Sequence, residues 1–195
     1  MARHYRLDER RLQVVNMPPP EQLAALNAGQ IGALLCWQPW GYNALRSDAM
    51  ELLHTGTRSS FASNRGEAVQ ISVTRSLFVA SQDFVRRNPA ATRALVAVLL
   101  RAQRHVADPA NRAEVVTLVA EQTRQPRELV EAIWGEYVFD PVFDDRYVAD
   151  MESLRQYLVT SGRVRQARHP LDYTFTEPLA AADPALVRTP GRWRA

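Results

Sequence analysis

Trp37, Gln38, Pro39 and Trp40 place two indoles and a side-chain amide in succession at the end of an apolar run. An indole N–H donates and never accepts, and an amide offers donors without a full charge, so the group suits the oxygens of a small anion. Farther along, Arg75 stands between Thr74 and Ser76. Its planar fork matches the paired oxygens of a sulfonate, nitrate or carboxylate, and the flanking hydroxyls add donors. The candidate ligand-binding residues are therefore Trp37, Gln38, Trp40, Tyr42, Arg75 and Ser76, with Asn43 beside them on the same rim. Each has a plainer use as well: indoles cover the end of a sheet, and arginines are ordinarily exposed.

Other chemistry is limited by what the chain lacks. Its 195 residues carry 24 basic side chains, all of them arginine. Without lysine there is no amine for Schiff-base catalysis, for anchoring pyridoxal phosphate or for a phosphate loop. His4, His54, His105 and His169 lie far apart, with no HExxH or CxxC spacing, so no metal site is expected. There is no GxGxxG after a strand and no GxSxG elbow. Cys36 is the only cysteine, and at the end of Ala33-Leu-Leu-Cys36 it reads as a small buried hydrophobe. The net charge of +3 is spread among 21 carboxylates, which does not point to nucleic acid. No cofactor and no catalytic residue is expected. No stretch reaches the roughly 18 to 20 apolar residues of a membrane span. The opening Met1-Ala-Arg-His-Tyr-Arg leads into charge rather than a secretion signal.

The elements that must hold these residues follow from periodicity. Leu12–Asn16 reads as a strand stopped by Pro18, Pro19 and Pro20, Glu21–Asn27 as a short helix, and Ile31–Trp37 as a second buried strand. Strand, helix and strand in so short a span imply a parallel unit, hence an α/β fold. A further short strand is expected near Glu51–His54. Alternation at Val69, Ile71 and Val73, then the run Leu77-Phe-Val-Ala80, predicts a long extended segment. From Ser81 the signals turn helical. Ser81, Asn88-Pro89, Asp108-Pro109, Gln125-Pro126 and Asp144 or Asp145 each open a helix, and Ser161-Gly162 closes the last. On the long helix to Ala107, Leu95, Val98, Leu99, Ala102 and Val106 form the expected inward stripe, and Arg86, Arg87, Arg93, Arg101 and Arg104 supply a charged, solvated face. The proline-bearing tail from Arg163 reads as irregular.

Two motifs carry a resemblance. The run PPPEQLAALNAGQIGALLCWQPW, from Pro18 to Trp40, resembles the nitrate/sulfonate/taurine family of ABC-transporter solute-binding proteins, in which a proline-rich turn, a helix and a strand lead to Trp-Glu-Pro-Trp. The later Phe84-Val-Arg-Arg-Asn-Pro89 is similar to that family's Phe-x-x-x-Asn-Pro helix pair. The likeness runs from about Leu7 to Val187 and corresponds to the C-terminal part of the family's members.

The resemblance implies part of a two-lobed, type 2 periplasmic-binding-protein-like α/β fold: short parallel strands in the first 80 residues, then a helix-rich half. Residues 1–70 would belong to the second lobe, residues 71–162 to the crossing strand and the returning helices of the first lobe, and 163–195 to the tail. It implies that Arg75 faces a cleft, and that Gln38, where the family has Glu, favours an anionic solute over a cationic one. It also implies an ABC permease as partner and a periplasmic or cell-surface location. Relatives with this fold include a desulfinase with a cysteine nucleophile, so an enzyme using Cys36 is one alternative. Another is a truncated fragment completed by a different chain or by self-association.

Overall fold

The structure is a computed structural model that describes residues 4–46, 50–71 and 75–195. Its elements are helices: α1 Pro19–Asn27, α2 Trp40–Leu45, α3 Gln82–Arg87, α4 Pro89–Ala107, α5 Arg112–Thr123, α6 Arg127–Ile133, α7 Asp145–Thr160 and α8 Glu177–Ala182, with short 3-10 turns between them. The chain divides into two compact units, Met1–Arg75 with Gln122–Tyr137, and Ser76–Glu121 with Val138–Ala195.

The expected α/β fold, with its parallel strands, is not present. Among the described residues there is no strand, and pairing is limited to isolated bridges. A strand is completed only by a neighbour that takes its backbone hydrogen bonds, and an all-parallel sheet is buried on both faces. Neither condition is met. The Leu12–Asn16 run lies exposed, Leu35 in the second expected strand is 82% exposed, and Phe78 and Val79 at the end of the crossing segment are 82% and 90% exposed. Ser72, Val73 and Thr74, part of that crossing segment, lie outside the described residues. Near the expected strand at Glu51–His54 the backbone instead forms a small irregular knot. His54 bridges to Ser59 and Arg58 to Ala68, both antiparallel, and Ser59 and Val69 are buried within it.

In the first unit α1 packs on α2, with Ala25 and Ala44 buried. Leu129, Val130 and Ile133 are the buried residues of α6.

The second unit follows its punctuation. The Ser81 hydroxyl accepts from Phe84 N–H (3.2 Å), the Asp108 carboxylate from Ala110 N–H (2.9 Å) and the Asp144 carboxylate from Tyr147 N–H (3.1 Å), each capping a helix or 3-10 start. The inward side of α4 differs from the expected stripe. Thr92 and Leu100 are its buried residues, whereas Leu95 and Val98 are half exposed. The reason is the partner: α4 packs on α8, which lies within the tail expected to be irregular. That tail is tied down by the Phe143 and Leu186 backbones (Phe143 N–H to Leu186 C=O, 2.7 Å), with Pro170 and Leu171 buried.

Candidate functional site

The Trp37–Tyr42 turn is built on the start of α2. Proline at 39 fixes φ at the position before the helix and has no N–H to leave unpaired. The free N–H groups of the first turn then find acceptors upstream. Asn43 N–H donates to the Pro39 carbonyl (3.0 Å), and Tyr42 N–H donates to Oε1 of Gln38 (2.9 Å). Gln38 therefore acts as a side-chain cap, a role ordinarily taken by a shorter side chain one residue later. Its other half is engaged too: Nε2 donates to Oε2 of Glu136 at 2.9 Å. Glu136 ends the 3-10 turn Trp134–Glu136 that follows α6.

The Gln38 amide is thus engaged at both its oxygen and its nitrogen, which ties down the turn and leaves one Nε2–H for another acceptor. It also draws a carboxylate to the same place, and Glu136 itself is exposed. Sequence reading missed Glu136 because the two partners are 98 residues apart, a separation that no periodicity encodes.

Around the pair, Trp37 stands out at 63% exposure, while Trp40, Tyr42 and Asn43 are half-buried. Trp37 thus presents an unburied indole, and the Trp40 indole is partly covered. Arg75 is half-buried in the first unit. Ser76 is exposed and begins the second unit, and Thr74 lies outside the described residues.

Cys36 is a free, half-buried thiol, and burial pushes its pKa up, which lowers the thiolate fraction a nucleophile needs. His54 accepts from Gly56 N–H through Nδ1 (2.7 Å), and its Nε2 is buried without a partner. Burial first, then the N-terminal charge and His4, lowers its pKa. His105 lies beside Asn111, its Nδ1 3.0 Å from the amide nitrogen. Among the described residues no cluster of three or more metal-ligating side chains forms. The arginines of α3 and α4 do not act as one face. Arg86 lies over the Trp193 ring (5.5 Å), Arg87 pairs with Asp83 (3.8 Å) and Arg104 pairs with Asp183. No described helix is long and apolar enough to cross a membrane.

Residues 4–120 match the sequence profile described as the NMT1-like family. The match takes in the Trp37–Tyr42 turn, Arg75 and the Phe84–Pro89 motif. It occupies the N-terminal part of the chain and stops short of Val187, to which the likeness was expected to extend. No curated protein and no solved structure matches the chain.

Proposed function

The chain belongs to the NMT1-like family of nitrate/sulfonate/taurine-type ABC solute-binding proteins, and on that premise we propose that it is the solute-binding component of an ABC transporter, taking a small acidic solute. The observation that carries this reading is that the matched stretch contains an indole left in solvent on a turn fixed from both sides. Trp37 is exposed while Gln38 is held by Tyr42 N–H and by Glu136. A rigid frame bearing one unburied aromatic is what a small-solute site needs, because little order is lost on binding.

In this reading the contacts divide by charge. The Trp37 N–H and the Arg75 guanidinium serve the solute's acid group, Trp40 and Tyr42 shape the wall, and Gln38 holds Glu136 in place. A carboxylate at this position repels a bare anion such as nitrate and attracts an ammonium. Of the nitrate, sulfonate and taurine types, the geometry therefore favours the last, whose amine sits close to its sulfonate. The partner is an ABC permease, which places the protein in the periplasm or at the cell surface.

Thermal unfolding with a panel of solutes tests the proposal. A ligand at a hundredfold excess over its Kd adds about 2.7 kcal/mol, which for a chain of this length raises Tm by roughly 5 to 10 °C. Taurine should raise Tm most, an alkyl sulfonate less and nitrate least. Glu136→Gln should reduce the lead of taurine over the alkyl sulfonate. A flat response to the whole panel would overturn the solute-binding reading, and a larger shift with nitrate than with taurine would overturn the role given to Glu136.

A further inference from the structure

The segment Ser76-Leu-Phe-Val-Ala80 has a feature that the solute site does not use. Among the described residues none of 76–80 makes a backbone hydrogen bond, and the segment belongs to neither helix nor strand. Phe78 and Val79 are 82% and 90% exposed, and Leu77 is close to half exposed. Leu, Phe and Val in succession favour an extended backbone, and Ser81, next in line, is already extended at φ −68° and ψ 146°. A row of unpaired N–H and C=O groups bearing apolar side chains is a template for an added strand.

We propose that this segment pairs antiparallel with the same segment of a second copy, about a two-fold axis through Phe78. Three observations select a second copy as the occupant. No ionisable side chain lies between Arg75 and Asp83, so two identical segments meet without like charges facing one another. The flanking charges have opposite signs, so an antiparallel copy brings the Arg75 end of each chain beside the Asp83 end of the other. With Phe78 opposite itself, Leu77 falls opposite Val79 and Ser76 opposite Ala80, which places the apolar side chains against one another across the pair. The interface is isologous and closes as a dimer. It requires nothing of the solute site.

Two measurements on the full chain test it. Light scattering at concentrations up to about 100 µM should show a dimer whose fraction rises with concentration. Phe78→Asp should give a monomer with an unchanged far-UV spectrum, since the side chain it replaces lies in solvent. In a Cys36→Ser background, Phe78→Cys should form an intermolecular disulfide on mild oxidation, because directly opposed residues lie about 4.5 to 5.5 Å apart, within disulfide reach. Ser76→Cys should crosslink at least about tenfold more slowly, since its own copy lies four residues along the partner strand, roughly 13 Å away. A monomer throughout the concentration range overturns the proposal, as does a dimer that survives Phe78→Asp or equal crosslinking at 76 and 78.

Discussion

Residues 81–160 and residues 10–80 face the same requirement, to pair every backbone N–H and C=O, and meet it differently. In the later region each helix closes its own hydrogen bonds within a few residues, and side chains of Ser81, Asp108 and Asp144 satisfy groups that the helix or 3-10 starts leave open. In the earlier region the apolar runs at 12–16 and 31–36 belong to no element among the described residues, and their side chains face solvent in part or in full. Helices are self-sufficient, whereas strands depend on another segment. The difference explains why the candidate site of the earlier region rests on a capped turn rather than on the end of a sheet.

The contrast can be broken or sharpened by substitutions of equal chemistry in the two regions. The largest effect is expected from leucine truncation. Leu100→Ala, in the buried face of α4, should cost about 2 to 5 kcal/mol, while Leu35→Ala should stay within about 0.5 kcal/mol because that side chain is already in water. Urea unfolding of both variants checks this, and equal losses would mean that the run at Leu35 is packed in solution.

Next comes Gly191→Ala. Gly191 is buried, its N–H donates to the Thr176 hydroxyl (3.0 Å), and a Cβ there would collide with the Thr174 carbonyl. The clash should cost about 1 to 3 kcal/mol, read as a lowered urea midpoint, and would show that the tail is part of the second unit's packing. Removing a cap, Asp144→Ala, should cost about 1 kcal/mol and lower Tm, with Asp144→Asn restoring most of the loss because its amide oxygen can accept the same Tyr147 N–H.

The smallest effect concerns pH. On α7, Arg155 grips Glu152 through both carboxylate oxygens (2.6 and 2.7 Å), and these bonds first, then one from Gln156, hold the Glu152 carboxyl at about 2 instead of the ordinary 4.5. A depressed carboxylate stabilises the folded state above its unfolded pKa. That contribution is lost as pH falls from about 4.5 towards about 2. The Tm difference between the native chain and Glu152→Gln should accordingly shrink across this window and vanish below it. A difference independent of pH would assign it to packing.

The same division into local and borrowed hydrogen bonds governs what could be read from the sequence. Ser81 and Asp108-Pro109 are legible because a cap and the backbone groups it serves lie within three residues, whereas the Asn88 side chain makes no cap bond and donates instead to the Phe84 carbonyl (3.0 Å). The inward side of α4 was misjudged because α8 decides it, and α8 sits in a tail whose prolines suggested no regular structure. The strands were misread because Val14-Val15 and Leu34-Leu35 have strand-forming side chains, yet whether a ladder forms depends on another segment. In the site, the cluster of indoles and amide was legible from Trp37-Gln38-Pro39-Trp40, but the exposure of Trp37 and the helix that starts at Trp40 were hidden, because Ile31–Trp37 reads as a buried strand. Glu136 was hidden too, since its bond to Gln38 depends on where α6 ends.

The solute-binding account rests on Trp37 as the exposed contact of a fixed turn. Calorimetric titration of taurine into the native chain and into Trp37→Ala tests it most directly, since an indole already in solvent can be removed without unfolding the protein. The account predicts saturable binding to the native chain and at least about a tenfold weaker Kd, about 1.4 kcal/mol, for the variant. Equal affinity in the two proteins would contradict it.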